Sequence, residues 1–535
     1  MKAWRAVVPV LVAVVIAVLP VPEGLTQNAW YYFALFSAVV IGLILEPIAA
    51  AAVGVIGVTL AAALLLVQPP PAKPGKTADA KPAAVAADNA PKGAISPKSV
   101  PVAPKDNVQR PAVPASSPAK PPLQKPEAGG PKGLTPADAI KWALSGFSDG
   151  TVWLIFVAYM FAMGYEKTGL GRRIGLFLVE KLGKKTLGLG YAVALSDLVL
   201  APFTPSNTAR SGGTIFPVIK NIPGLYGSTP EKDPEKIGSY LMWTAIATTC
   251  VTSSMFITSL APNLLALSVV QKTTKVAITW GEWFTGFLPV GVILFLAVPY
   301  LAYKLYPPTI KVSEDAHRWA KEELGKMGPM GGKEILMASL AILALLLWIF
   351  GGSYLNATTV ALLVLSLMVV TKVVTWDDVI GNKQAWNVLV WFGTLVTLAD
   401  GLNRVGFLKW ISEAVAKSVT GVPVMTMMIV LLVFFFVAHY MFASITAHVT
   451  GLLPVVLATA MSVPGIPIKM FSMILCFSLG IMGVITPYAT GPSPIYYGSG
   501  YISRKAYWSL GLVFGAIFLA VLILVGIPYL EVLKP

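Results

Sequence analysis

Apolar residues along this chain come in runs of roughly 18 or more, separated by short polar stretches. That is the length an α-helix needs to cross the hydrocarbon core of a bilayer. The runs predict spans near residues 7–22, 28–45, 47–67, 150–165, 238–271, 284–306, 334–352, 356–374, 386–402, 468–496 and 506–531, about eleven in all. Those at 238–271 and 468–496 are interrupted by polar residues. Two further apolar segments, 187–222 and 424–462, carry a polar motif near the middle with about 15 residues on either side. Half a bilayer takes about ten helical residues, so each reads as a re-entrant hairpin whose tip reaches the midplane, or as two full spans joined by a turn.

The two polar motifs are one motif written twice. TPSNTARSGG at 204–213 and FASITAHVTG at 442–451 align Ser206, Thr208, Ala209, Arg210 and Gly213 with Ser444, Thr446, Ala447, His448 and Gly451. The register extends outward. VWLIFVAYMFAMGYEKTGL (152–170) matches LVWFGTLVTLADGLNRVGF (389–407), with Lys167 and Gly169 opposite Arg404 and Gly406. TSLAP (258–262) matches TGPSP (490–494). Three matches at a common offset near 235 residues predict an internal repeat. Five crossings plus a hairpin that returns to its own side make an odd count, so the halves are expected to be inverted. The resulting plan has residues 1–27 as a first transmembrane helix and 28–67 as the start of repeat 1. Residues 68–134 form a linker, and 135–306 complete repeat 1. Residues 307–333 form a cytoplasmic linker, and 334–535 form repeat 2.

Composition narrows the class. The 535 residues are 56% hydrophobic and only 12% charged, about half the charge of a soluble domain. The fold class expected is an all-α polytopic membrane protein. The N-terminus has the basic start and apolar core of a signal peptide, but no small-x-small site follows, and it reads as a retained helix. The net charge of +15 does not point to nucleic acid. Residues 68–134 hold ten Lys/Arg against four Asp/Glu, together with sixteen prolines, the signature of a semi-extended disordered linker. Most other basic residues fall in the loops holding Arg172 to Lys185, Lys304 to Lys333, and Arg504 and Lys505. Those loops lie inside if the N-terminus is cytoplasmic. The linker then falls outside, where its length exempts it from the positive-inside rule. The two cysteines and three histidines show no metal-ligand spacing, so no metal or other cofactor is expected.

Irregular backbone survives at membrane depth only where it lines a cavity or site. Pro202 and Pro205 break the run before Ser206, Asn207 and Thr208, and open the backbone at the start of a second helical leg. Free amides at a helix N-terminus, with Ser and Thr hydroxyls, make an anion site. Two such tips facing one another would hold a molecule with two carboxylates. Ser444 and Thr446 form the second tip. Thr258, Pro262 and Asn263, and Thr490, Gly491, Pro492 and Ser493, break the interrupted helices in matched positions and are the remaining candidate substrate-binding residues. The competing reading is that these small residues only pack helices closely.

LSDLVLAPFTPSNTAR (195–210) and ITPYATGPSPIYYGSGYI (485–502) resemble the divalent anion:sodium symporter family. Within it they resemble the branch of 2-oxoglutarate/malate translocators and citrate/succinate and tartrate/succinate antiporters. The resemblance spans the chain except for 68–134. It implies a homodimeric elevator transporter for di- or tricarboxylates in a bacterial-type inner membrane, in which hairpins and interrupted helices move together past a scaffold. Ile445 stands where the family has Asn in the second tip. Arg210 and His448 follow each Ser-x-Thr about where a bound sodium would neutralise the substrate, and so are expected to compensate charge in its place. A fixed arginine charge is costly to move across the membrane without its counter-ion, which favours obligatory exchange over sodium-coupled symport. Pairing with Asp197 would weaken that reasoning, and His448 could equally be a packed neutral or proton-sensitive histidine. His439 is assigned to packing and His317 to a solvated loop. Tyr488, Tyr496 and Tyr497 are candidate donors to substrate hydroxyls or members of an aromatic belt. A membrane-embedded enzyme would need a nucleophile with its base or a metal cluster, and no such motif is present. A channel would need a continuous polar path, and the polar residues cluster at one depth.

Overall fold

A computed structural model describes residues 4–67, 135–351, 354–418 and 422–535. The proposed linker, 68–134, lies outside the described residues. Within them the chain is helical without a strand; an isolated bridge between Lys185 and Val312 is the β-type pairing present.

After Trp4–Val18, the same order of elements runs twice. It begins with Gln27–Leu45 and Ala50–Ala63, then the short Pro136–Ala143, the long Gly150–Thr168 and Leu170–Leu182. A helical pair follows, Thr186–Leu200 and Thr208–Ile215 with Phe216–Ile219. A broken helix, Gly238–Met255 with Ala261–Thr274, and the long Trp280–Leu305 complete the first pass. The second pass runs Gly332–Phe350, Ala357–Val370, Trp376–Gly381, Lys383–Arg404 and Phe407–Ser418. It then runs through the pair Val424–Ala438 and Ile445–Ser462, the broken Ile468–Ile481 with Ser493–Gly498, and Arg504–Val521 leading to Ile527–Leu533.

Local chemistry repeats along with the order. Each short helix starts on a threonine that caps the amide three residues on, Thr135 for Asp138 and Thr375 for Asp378, both at 3.2 Å. Gly150–Thr168 ends one residue before Gly169 and Lys383–Arg404 two residues before Gly406; both glycines lie in the left-handed region, at φ 79° and 81°, where a Cβ would be strained. These are the two glycines that the repeat holds in register.

Eight described helices are long and apolar enough to cross a membrane, and three of the eight are legs of the hairpins. Four shorter apolar helices accompany them. Each run read from the sequence as a span contains a described helix, but three amphipathic helices lie outside those runs. Leu170–Leu182 buries Leu170, Leu176 and Val179, exposes Arg172 and Lys181, and pairs the half-buried Arg173 with Glu334 at 2.8 Å. Phe407–Ser418 is its counterpart in the second pass. The third, Glu314–Met327, lies within the 307–333 segment. His317 sits on that helix, half-buried, and its Nδ1 bonds the Glu180 carbonyl rather than facing solvent in a loop. The apolar stripe there is narrow, with buried Ala316 and Ala320, so hydropathy alone does not reveal it.

The interior belongs to the broken helices and hairpins. All residues of Gly238–Met255 are buried, including Thr244, Thr248, Thr249, Thr252, Ser253 and Ser254. A helix covered on every side carries no amphipathic period. Its hydroxyls bond inward instead: the Ser254 hydroxyl donates to the Phe477 carbonyl at 2.7 Å and accepts from the Ile481 amide at 3.1 Å, tying the two broken helices together.

Candidate binding site between the two hairpin tips

At residues 204–206 the chain leaves helical geometry, and the second leg starts with a π-helical stretch, Thr208–Ile215. Gly212 and Gly213 within it are poor helix formers, and wide π turns are a recurrent feature of functional segments. The matched serines do the same local work in both tips. Ser206 Oγ accepts the Ala209 amide at 3.2 Å, and Ser444 Oγ accepts the Ala447 amide at 3.4 Å. One reason for the Ser-x-Thr-Ala repeat is therefore capping.

Both tips line one cavity of about 240 Å³. Ser206, Asn207 and Thr208 come from the first tip, Ser444, Ile445 and Thr446 from the second. Pro262 from the first helix break, and Thr490 and Gly491 from the second, complete its polar and backbone wall. Three helix N-termini converge here, those of the two second legs and of Ala261–Thr274. Their aligned dipoles turn positive ends toward the cavity, which has no cation in its wall.

The parts are fastened to each other by polar bonds. Asn207 Nδ2 donates to Thr490 Oγ1 at 2.8 Å. A Cβ on Gly491 would lie 1.8 Å from Thr208 Oγ1, so only glycine allows this approach of break and tip. The Ala261 amide donates to the Pro205 carbonyl at 2.7 Å. Thr258 and Asn263 lie outside the lining: the Thr258 hydroxyl donates to the Pro202 carbonyl at 2.5 Å, and Asn263 Nδ2 to the Ser253 carbonyl at 2.8 Å. Pro492 and Ser493 also lie outside it.

Arg210 and His448, matched in sequence, occupy different surroundings behind the tips. Arg210 is 1% exposed and pairs with Asp197 at 3.1 Å. Its guanidinium donates to the Thr204 carbonyl at 2.9 Å, the Ser259 carbonyl at 2.7 Å and the Ser253 hydroxyl at 3.1 Å. The Thr252 hydroxyl also bonds Asp197. The positive charge thus bridges the carbonyl oxygens of the first tip and the first helix break. Those carbonyls are the kind of ligand a bound metal cation takes. His448 is fully buried among Phe435, Phe442 and His439, with ring centroids 4.3, 4.9 and 5.0 Å away. Neither of its ring nitrogens has a hydrogen-bond partner among the described residues. His439 Nε2 bonds the Ala489 carbonyl at 2.9 Å, beside the second break.

The tyrosines point elsewhere. Tyr496 is buried and donates to the Ser211 carbonyl at 3.1 Å, Tyr488 donates to the Tyr440 carbonyl at 3.1 Å, and Tyr497 packs edge-on against Tyr507. The sequence reading missed Glu46, Tyr159, Trp391 and Phe392 in the cavity wall. Tyr159, Trp391 and Phe392 sit within the 152–170 and 389–407 repeat, but at positions that do not match each other. Glu46 carried a signal of its own, an acidic residue in an otherwise uncharged stretch.

Comparison with known proteins agrees with the reading of the motifs. The family profile described as the sodium:sulfate symporter transmembrane region matches residues 1–534. The L-tartrate/succinate antiporter of Escherichia coli (strain K12) is 42% identical over 534 residues, covering 99% of this chain and 98% of that one. The protein of the same name from Shigella sonnei (strain Ss046) matches to the same extent. Among solved structures, the YdaH transporter of Alcanivorax borkumensis superposes with a TM-score of 0.49 at 15% identity, over 74% of this chain and 89% of that one, too remote to bear on the fold. The chain belongs to the sodium:sulfate symporter family, the divalent anion:sodium symporters that its hairpin motifs resemble.

Proposed function

We propose that this protein is a secondary active transporter that exchanges small di- or tricarboxylates across a bacterial-type inner membrane, without sodium. The relatives named L-tartrate/succinate antiporter support the substrate class and the exchange. The cavity shared by the two tips supports the mode of binding, since each tip brings hydroxyls and a helix N-terminus that suit a carboxylate. The observation that carries the exchanger reading is Arg210, whose guanidinium binds the carbonyls of Thr204 and Ser259 in the manner of a metal cation. A mobile ion can join and leave with substrate; an arginine cannot. The empty carrier then keeps its charges and crosses slowly, and only loaded forms cycle.

In this reading the hairpins and broken helices travel as one body, in an elevator motion past the remaining helices. The bonds Asn207–Thr490, Ala261–Pro205 and Ser254–Phe477 support that unit. The halves are inverted repeats with re-entrant hairpins and about eleven spans, the N-terminus is cytoplasmic, and the assembly is a homodimer in the lipid bilayer.

One observation favours sodium-coupled symport as a second reading: the Asp197–Arg210 pair is neutral as a unit. The test separates the two. Radiolabelled succinate uptake is measured in proteoliposomes that are empty or preloaded with succinate, with and without sodium. Exchange requires uptake only into preloaded vesicles and indifference to sodium. Uptake into empty vesicles driven by a sodium gradient would replace it with symport. Absence of counterflow under every condition would leave a channel or an enzyme.

A further inference from the structure

Apart from one carboxylate, the polar side chains in the cavity wall can all donate hydrogen bonds, the hydroxyls of Ser206, Thr208, Ser444 and Thr446 among them, and helix N-termini join them. Such a set recognises carboxylates and says nothing of the carbon chain between them. The exception is Glu46, the one carboxylate among the lining residues. It has no ion-pair partner among the described residues, and it is the sole charged residue between Glu23 and Lys73. An anionic group in an anion's cavity weakens binding of every carboxylate substrate.

The backbone at Glu46 argues the same way. Glu46 caps the C-terminus of Gln27–Leu45 in the left-handed region, with φ 46° and ψ 55°, its amide donating to the Gly42 carbonyl at 2.9 Å. Glycine is the residue that fits there without a Cβ penalty, and the following Pro47 disfavours helical geometry at this position further. A strained non-glycine residue in this place points to a use for its side chain.

We infer that Glu46 is a specificity residue that accepts hydrogen bonds from the carbon-bound hydroxyls of 2-hydroxy- and 2,3-dihydroxydicarboxylates, favouring them over unsubstituted dicarboxylates. The inference rests on the dicarboxylate exchange proposed above. Repulsion between Glu46 and the substrate carboxylates is common to all such substrates and cancels in a ratio. The hydroxyl contact does not cancel, and hydrogen bonds to a charged acceptor are the strong ones. Glu46 belongs to neither hairpin and to neither broken helix. It therefore acts on whichever face of the membrane this conformation opens to, and the two sides of the exchange select substrates unequally.

The test is the ratio of kcat/KM for L-tartrate to that for succinate in proteoliposome exchange, with L-malate between them, carrying two, no and one hydroxyl. Glu46→Gly is expected to fold well, with a raised Tm from relief of the left-handed strain. Its tartrate-to-succinate ratio is expected to fall about tenfold, with malate falling part of the way. Glu46→Asp is expected to restore part of the preference. A residue that only shapes the backbone would move all three substrates together. An unchanged ratio in Glu46→Gly beside normal wild-type exchange would overturn the specificity role alone, whereas a wild-type protein that exchanges none of the three would overturn the exchange reading instead.

Discussion

At the scale of single residues, the matched pair Arg210 and His448 shows how far a repeat can diverge once it folds. Arg210 is saturated by carbonyls, hydroxyls and Asp197, while His448 sits in an aromatic cage with both nitrogens unpaired. Taking one member from a buried ion pair strands the other, at a cost of about 3–5 kcal/mol. Asp197→Asn is accordingly expected to lower stability by about that amount, read as a large fall in Tm in detergent. Adding Arg210→Met to it should recover much of the stability while exchange stays lost, because the carbonyls of Thr204 and Ser259 then have no cation between them. A single-mutant Tm equal to wild type would show the pair to be solvated. The possibility of this pairing was legible from the 13-residue spacing; its five further acceptors were not, since they come from the Gly238–Met255 helix, the first break and the tip.

Caps and charge pairs fasten the ends of several elements in this protein. Asp378 illustrates it: its carboxylate pairs with Lys167 at the end of Gly150–Thr168 and accepts the amide and hydroxyl of Thr375, at 2.6 and 2.7 Å. Lys167 chiefly, and then Thr375, hold its pKa down to about 2. A carboxyl depressed in the folded state contributes stability above its ordinary range near 4, and that contribution fades as the pH falls toward 2. Lys167→Met is expected to lower Tm by a constant amount above about pH 5 and to converge on wild type as the pH falls toward 2, flattening the Tm-against-pH curve in that acid window. A curve identical to wild type would exclude the pair as a stabilising contact. The partners lie 211 positions apart, which is why spacing along the chain could suggest the Thr375 cap and not the lysine.

Across the whole molecule, the doubled order of elements places the 68–134 segment at one joint of the repeat. The second pass makes the same connection, from Ala357–Val370 to Trp376–Gly381, with residues 371–375 alone. In the first pass the two helix ends are near neighbours, since Ala62, Ala63, Pro136 and Ala139 line a common pocket. A short loop can therefore close the gap. Replacing 68–134 by a short Gly/Ser loop is expected to preserve folding and succinate exchange to within about twofold. A loss of exchange with Tm intact would assign the segment a part in transport.

Hydropathy by itself determined that the chain is helical and polytopic, because a run of about 18 apolar residues has few other stable fates. The doubled Ser-x-Thr-Ala motif likewise marked the two tips, since capping chemistry is local and a cap is written within four residues. The family was also legible there. What only the tertiary structure decided is which groups share a space. Glu46, Tyr159 and Trp391 meet the tips from distant helices, while Thr258, Asn263 and Tyr496 turn their polar atoms to backbone carbonyls instead. The physical reason is that a buried polar atom must find a partner wherever packing offers one, and packing joins residues hundreds of positions apart that no local pattern relates.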